Sequence, residues 1–193
     1  MPARMKRREE IKTDRMTSFT AVLKQAAEPA ANEPWWFLVL PREVSESLPR
    51  RGRTSVQGRI NGAPFLVTLE PDGKLSHWLK VDKRLLKAAR AKAGSEVNVE
   101  LVAVEQEPEP LVPEALQTLL NASPDALATW NATTTLARVD WIHWIESAKQ
   151  PRTRSKRTND AVSMLATGKG RVCCFDPSGY YARNMRAPQE VTD

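Results

Sequence analysis

Apolar and polar residues alternate on both sides of Asn61-Gly62, which predicts two β-strands joined by a tight turn. Both central positions of a type I′ turn need a positive φ angle, and Asn-Gly meets that need. The predicted inward pairs are Ile60 with Ala63, Gly58 with Phe65, Val56 with Val67 and Thr54 with Leu69. On the opposite face Arg53 lies across from Glu70. We interpret the hairpin as half-buried scaffold with solvated arginines; a nucleic-acid-reading surface is the alternative.

Gly58 places a residue without a Cβ atom in the apolar face of this hairpin. Its predicted partner is Phe65, whose ring needs space on that face. We therefore expect Gly58 to make room for the Phe65 ring and to permit tight bending of the strand.

Further segments around the hairpin alternate in the same way and predict short strands. They are Ser18–Gln25, Trp35–Pro41, Lys74–Val81 and Glu96–Val104. In the third segment, Leu75, His77, Leu79 and Val81 share one face, and Trp78 lies on the other. Asp82 is expected to cap a helix that Gly94 ends. Six short strands with one helix favour a small β-barrel, because closure removes exposed sheet edges.

The composition changes after the last strand, where Pro and Glu alternate and predict an extended acidic linker. Helix-start signals follow at Pro113, at Ser123-Pro124-Asp125 and at Thr133–Thr135. Pro151 is expected to stop the third helix, and a fourth is expected from about Thr153 to Ala166, ending at Gly168. These signals predict a small unit of antiparallel helices.

The predicted fold class is therefore α+β, a small β-barrel followed by a C-terminal helical unit. The expected parts are a disordered basic leader over 1–16, the barrel over 17–104, the linker over 105–112, the helical unit over 113–168 and a C-terminal tail over 169–193. The sequence does not indicate where the tail packs.

The charge of the chain is segregated, although its formal net value is +6 at pH 7. Much of the excess lies in the leader, for which Met16 is an alternative start. No basic residue lies between Lys92 and Arg138, where the chain is acidic. This pattern excludes a uniformly cationic surface and leaves two basic clusters as candidates for anion contact.

The first basic cluster lies between two predicted helices, in the stretch KQPRTRSKR. Its anion-binding candidates are Lys149, Arg152, Thr153, Arg154 and Arg157. The hydroxyl of Thr153 is expected at a helix N-terminus, where free backbone donors favour an anion. In the alternative, Lys149 and Arg154 satisfy the last carbonyls of the preceding helix or pair with the acidic linker. The second cluster comprises Lys83, Arg84, Lys87 and Arg90.

Catalytic chemistry has few candidates in this sequence. The chain has two histidines, His77 and His143, and no catalytic carboxylate pair, nucleophile turn or phosphate-binding glycine loop. A buried, hydrogen-bonded core histidine is the simpler interpretation of His77. An enzyme working at the barrel mouth around Trp36, His77 and Trp78 is the alternative. We therefore expect a protein that is not an enzyme.

Cellular location and cofactors are constrained by what the sequence lacks. No apolar run is long enough to span a bilayer, and the N-terminal residues lack the apolar core of a signal peptide. Cys173 and Cys174 are adjacent, which disfavours a bridge between them, and there is no third cysteine for a metal site. We expect a cytoplasmic protein without metal or other cofactor, and its oligomeric state stays open.

The stretch WIESAKQPRTRSKR, followed by LATGK, resembles the signature of the bacterial YdeI/OmpD-associated bacteriocin-protection family. The matching positions are Trp144-Ile145, Ala148-Lys149, Thr153-Arg154 and Arg157. The preceding region is similar to the small domain of unknown function that often comes before this signature, a domain that resembles a double-split β-barrel. The resemblance implies architecture and a link to survival of antimicrobial peptides, and it implies no catalytic residues. An accessory protein that binds an anionic ligand is the expected function; a nucleic-acid-binding protein is the alternative.

Overall fold

A computed structural model of the chain describes residues 16–28, 33–172 and 185–191. These residues belong to two units: one runs to Glu105 and resumes at Arg186, and the other is Gln106–Met185. The predicted disordered leader, apart from Met16, and both cysteines lie outside the described residues. The first unit is a barrel and the second is helical, so the predicted α+β fold class with a small barrel is confirmed.

The barrel unit contains seven antiparallel strands and two short helices in the part of the chain that the structure describes. The strands are β1 (Thr17–Val22), β2 (Lys24–Gln25), β3 (Trp36–Val39), β4 (Thr54–Ile60), β5 (Ala63–Pro71), β6 (His77–Val81) and β7 (Glu96–Ala103). The helices are α1 (Arg42–Glu46), which the sequence reading missed, and α2 (Lys83–Ala88). The strands are ordered β1-β7-β4-β5-β6-β3-β2 and form a nearly closed barrel.

The first strand segment is interrupted at Leu23, and this interruption allows the barrel to close. The predicted single strand Ser18–Gln25 is in fact β1 and β2, which pair with β7 and β3 respectively. Leu23 is fully buried between them, and its backbone bonds to neither sheet partner: it donates to Ser95 O at 2.9 Å and accepts from Gly94 N at 2.7 Å. One continuous segment therefore supplies both ends of the sheet order.

The predicted hairpin is confirmed with its register. Asn61 and Gly62 have φ angles of 47° and 84°, and β4 and β5 pair as the turn predicts. The expected reason for Gly58 is wrong, however. A Cβ atom there would collide with the carbonyl oxygen of Glu100 on β7, and would lie 2.9 Å from the Cα atom of Leu101. Close approach of the β7 backbone, rather than the Phe65 ring, requires glycine.

Arg53 departs from the predicted solvated face, because it is only 5% exposed. Its neighbours Thr54 and Ser55 are both 2% exposed, so both faces of the chain are covered at this end of β4. Glu70 lies beside Arg53, with Nη2 and Oε2 3.8 Å apart. Burial raises the pKa of the Glu70 carboxyl, while the charges of Arg53 and Lys80 oppose that shift. Arg59 is solvated as predicted.

Two turns of the barrel unit differ from the predictions. Leu75 is 59% exposed, with a φ angle of 72°, so β6 begins only at His77. Asp82 caps α2 as expected, accepting from Leu85 N at 2.7 Å. The helix ends earlier than predicted, because Arg90, with a φ angle of 50°, takes the left-handed position. Gly94 also has a positive φ angle, but it lies in the turn before β7.

The helical unit contains α3 (Glu114–Asn121), α4 (Pro124–Ala132), α5 (Thr135–Glu146) and α6 (Pro151–Ala166). Its core is formed by apolar side chains from all four helices: Leu116, Leu120, Ala126, Trp130, Trp141, Ile142, Ile145, Ala161 and Leu165. Thr134 caps α5, and Gly168, with a φ angle of 82°, follows α6 as predicted. Pro151 does not stop α5, which already ends at Glu146; it starts α6, where a missing N–H costs nothing. Among the described residues, no helix is long and apolar enough to cross a membrane.

Candidate functional site

The basic cluster predicted as a loop lies mostly in the first two turns of α6, since that helix begins at Pro151. Arg152 and Thr153 are exposed in the first turn. Gln150 occupies the N-cap position, and no side chain caps the helix. Pro151 has no N–H group and Arg154 N donates to the carbonyl oxygen of Gln150 at 3.0 Å, so the N–H groups of Arg152 and Thr153 are the ones left without an intrahelical acceptor.

Arg157 turns away from this exposed end and binds the end of α5. Its Nη1 atom donates to the carbonyl oxygen of Trp144 at 2.6 Å and to Ser147 Oγ at 3.0 Å. The guanidinium carbon also lies 5.4 Å from the centroid of the Trp144 ring. One arginine thus satisfies a terminal carbonyl of α5, stacks on an aromatic ring and places positive charge at a helix C-terminus.

Arg154 binds the same end of α5. Its Nη2 atom donates to the carbonyl oxygen of Ala148 at 3.2 Å. Thr158, which is buried, donates its hydroxyl to the carbonyl oxygen of Arg154 at 2.9 Å. We call Trp144, Ser147, Ala148, Arg154 and Arg157 the α5–α6 clasp. For Arg154, the structure shows the carbonyl-capping contact that was the alternative to anion binding.

The remaining candidates of this cluster face solvent. Lys149, Arg152 and Thr153 are all exposed, and Arg154 is also exposed apart from its bond to Ala148. Lys156 is exposed as well and pairs with Asp160 one turn later, at 2.7 Å. The cluster is therefore divided between two arginines that join helices and a group of solvent-facing side chains at the start of α6.

Glu109 of the acidic linker contacts α5. Glu109 Oε2 lies 3.2 Å from Arg138 Nη1, and Glu109 Oε1 accepts from the Thr135 hydroxyl at 2.7 Å. Both partners lie in the first turns of α5. The linker residue Glu109 thus belongs to the helical unit.

The second basic cluster lies on α2 of the barrel unit. Lys83, Arg84, Lys87 and Arg90 are all exposed, and none forms a salt bridge with a residue in the described ranges. Asn61 joins this helix to the hairpin, because its Nδ2 atom donates to the carbonyl oxygen of Ala89 at 3.2 Å. The hairpin turn therefore anchors the helix that carries these cations.

His77 is sealed inside the barrel unit, only 1% exposed. Its Nε2 atom lies 2.9 Å from the carbonyl oxygen of Gly52, and its Nδ1 atom lies 2.7 Å from Ser45 Oγ. A carbonyl only accepts, so Nε2 carries a proton, and in the neutral tautomer Nδ1 accepts from the serine hydroxyl. Ser45, on α1, is itself only 6% exposed. The sequence reading missed this partner because it missed α1, for which the only signal was Pro41 followed by an acidic first turn.

The three barrel-mouth candidates do not form one site. Trp36 packs against the barrel core. The face of β6 that carries His77 is directed toward the same core. Trp78 lies on the other face of β6, in a separate cluster with Phe37 and Ala26. The ring centroids of Trp35 and Trp78 are 5.9 Å apart, and Lys80 Nζ lies 5.1 Å from the Trp35 ring centroid. This outer aromatic cluster was not predicted.

Metal binding has no candidate group within the described ranges, because no three His, Cys, Asp or Glu side chains lie together there in a suitable arrangement. His143 is half-buried on α5.

Comparison with family models gives two matches that follow one another along the chain. Residues 19–101 match the family described as Domain of unknown function (DUF1905), and residues 109–168 match the family described as Bacteriocin-protection, YdeI or OmpD-Associated. The chain therefore contains a region that matches DUF1905, followed by a region that matches the YdeI/OmpD-associated family. No curated protein matches the chain.

The YdeI/OmpD-associated domain contains all four helices of the helical unit. Four of the residues on which the resemblance was based, Trp144, Ala148, Arg154 and Arg157, meet in the α5–α6 clasp. This part of the signature therefore joins two helices. Lys149 and Thr153, which also belong to the signature, are exposed beside the clasp.

Proposed function

We propose that this protein is a non-catalytic accessory protein that binds an anionic ligand at the exposed start of α6. The observation that carries the proposal is the division of the basic cluster. Arg154 and Arg157 donate to carbonyl oxygens at the end of α5, whereas Arg152, in the first helical turn, is exposed and makes no such bond among the described residues. The family description, bacteriocin protection, fits an accessory role rather than a metabolic one.

The chemistry of this helix start suits a carboxylate or a phosphate. The free N–H groups of the first turn and the helix dipole favour negative charge there. The planar guanidinium of Arg152 adds paired donors that match two anion oxygens. No acidic residue occurs between Lys149 and Arg157 to compete for these donors. The site is open to water, so its affinity should be modest and should fall with salt.

The buried histidine supports the absence of catalysis. Ser45 and His77 form the contact of a nucleophile with a base, but both side chains are almost fully buried. A substrate would need access to the serine oxygen to react. We therefore propose that Ser45 and His77 stabilise the fold of the barrel unit.

Nucleic-acid binding is the second candidate function, and a separate observation favours it. Four exposed cations, Lys83, Arg84, Lys87 and Arg90, lie on or next to one short helix without salt-bridge partners in the described part of the chain. Phosphate contacts through such residues would make the affinity fall steeply with salt.

Binding of tripolyphosphate, transfer RNA and duplex DNA to the full chain, measured at low and moderate salt, tests both candidates. We expect Arg152→Ala to weaken tripolyphosphate binding about five-fold, the value of one exposed charge contact. Lys169→Ala is the matched control, because this exposed cation follows the other end of α6, about 24 Å away by helix rise. Equal affinities of wild type and Arg152→Ala would disprove the α6 site. Nucleic-acid binding lost in Lys83→Ala but kept in Arg152→Ala would establish the second candidate instead.

A further inference from the structure

The outer edge of β2 is covered by the C-terminal segment Arg186–Val191, which we call the strap. Ala26 and Glu190 face each other in an antiparallel bridge. Ala27 N donates to the carbonyl oxygen of Gln189 at 2.8 Å, and Val191 N donates to the carbonyl oxygen of Gln25 at 3.0 Å. Because β2 ends the strand order, the strap adds one more short strand at that end of the sheet.

The strap also lies over the outer aromatic cluster. Ala187 packs against the cluster of Ala26, Phe37 and Trp78, and its N–H group donates to the carbonyl oxygen of Asp72 at 3.1 Å. Trp78 is 9% exposed, and its indole Nε1 atom is buried without a hydrogen-bond partner. The strap therefore occupies a groove whose floor is apolar and includes the Trp78 Nε1–H donor, to which the strap makes no hydrogen bond.

The side chains of the strap suit an edge position. Gln189 and Val191 direct their backbone groups toward β2, so Pro188 has its nitrogen on the outer side, where no N–H is needed. Glu190 forms a salt bridge with Lys24 at 2.8 Å, and the two side chains are 43% and 37% exposed. The charged contact is thus open to water and therefore weak.

The attachment of the strap is slight compared with the rest of the barrel. Among the described residues, the strap is held by three backbone hydrogen bonds, one exposed salt bridge and the packing of Ala187. The β4–β5 ladder, by contrast, has seven residue pairs and buries large apolar side chains. Segments with few buried contacts open locally without unfolding of the whole domain.

We propose that the strap is a self-bound occupant of a peptide-binding groove in the barrel unit, and that the groove opens to accept an extended segment of a partner protein. Backbone bonds to Gln25 and Ala27 would provide affinity, as in other cases of strand addition to a sheet edge. The partner segment would carry a small residue in the place of Ala187 and an acidic residue three positions later, opposite Lys24. This groove is independent of the α6 site.

Hydrogen exchange on the full chain tests whether the groove opens. In the wild type, we expect the amides of Ala27 and Val191 to exchange well before those of β4, because only local opening is needed. Glu190→Lys places like charges together and should increase exchange at Ala27 and Val191 about five-fold, with β4 amides unchanged. The double variant Lys24→Glu with Glu190→Lys reverses both charges, and it should return exchange at Ala27 and Val191 to the wild-type rate. If Ala27 and Val191 exchange at the rate of the β4 amides, the strap is a permanent strand and the proposal is overturned.

Binding in trans is measured with a fluorescent peptide of residues 185–191. We expect the peptide to bind the Glu190→Lys protein about five-fold more tightly than the wild type, because the weakened strap competes less. The double-reversal protein should instead select the peptide whose Glu190 is replaced by lysine. Failure of every protein to bind either peptide would overturn the proposal. Dimers of the full chain that exchange straps between copies would also overturn it, because the groove would then be a self-association site.

Discussion

Arg157 binds both the backbone and the ring of Trp144: Nη1 lies 2.6 Å from the carbonyl oxygen, and the guanidinium carbon lies 5.4 Å from the ring centroid. The same arginine also reaches Ser147. The two partners lie at the end of α5, whereas the arginine lies in the second turn of α6. The arginine of the family signature therefore determines how these two helices meet.

Replacement of Arg157 by lysine should destabilise the helical unit by about 1–3 kcal/mol. Lysine keeps the charge but loses the planar stack on Trp144 and the fixed geometry in which Nη1 donates to both Trp144 O and Ser147 Oγ. Unfolding in urea, followed by tryptophan fluorescence, measures the change. Arg152→Lys is the matched control on the same helix and should shift stability by less than about 0.5 kcal/mol. Equal stabilities for the two variants would contradict a structural role for Arg157.

Gly58→Ala should destabilise the barrel unit by about 3 kcal/mol or more, because the new methyl group would overlap backbone atoms of Glu100 and Leu101. Neither backbone atom can move without breaking the β4–β7 ladder. Thermal unfolding by circular dichroism measures the effect. Gly52→Ala is the control, since nothing lies within 4 Å of a Cβ atom there. A Gly58→Ala protein as stable as Gly52→Ala would refute the close approach of the strands.

His77→Phe should cost about 1–3 kcal/mol, because Ser45 and the carbonyl of Gly52 would each lose a buried partner. Ser45→Ala alone should cost less, since His77 keeps its bond to Gly52. A double-mutant cycle in urea gives the coupling energy of the pair. A coupling near zero would show that the two side chains do not interact in solution.

Glu70 should make the barrel unit less stable as pH rises above 4.5. Burial raises the pKa of this carboxyl above its ordinary value of 4.5. The folded state therefore binds a proton more tightly than the unfolded state, and its stability falls as pH rises through the folded pKa. Glu70→Gln cannot titrate, so its free energy of unfolding relative to wild type should increase over that range.

The control for Glu70 is Thr68→Val, a nearby change on β5 that adds no ionisable group. Its stability should run parallel to that of the wild type at every pH. Urea unfolding at several pH values supplies both curves. If the Glu70→Gln and Thr68→Val curves are both parallel to the wild type, the buried carboxyl has no role in the pH response.

Local signals predicted the hairpin turn and the N-caps of α2 and α5 best. The register of β4 and β5 follows from the two residues Asn61 and Gly62, and the cap of α2 follows from Asp82. Each of these features depends on residues that are close together in the sequence, so the sequence alone is enough to predict it.

Long-range contacts account for most of what was missed. Gly58 is required by the backbone of β7, about forty residues away along the chain. The burial of Arg53 depends on both sides of β4 being covered, and alternation alone cannot show that. Arg154 and Arg157 looked like anion ligands because a pattern of cations does not reveal nearby helix carbonyls. The strap was missed because a short segment with proline carries no strand periodicity of its own.

The break at Leu23 has a consequence for how the protein is made. Residues 17–25 leave the ribosome before their partners, because β1 pairs with β7, and β2 pairs with β3 on one edge and with the strap on the other. The nascent chain therefore carries an unpaired β1 edge until β7 has been synthesised, a state that is prone to aggregation. Synthesis of this small barrel should consequently depend on chaperones more than its size alone would suggest.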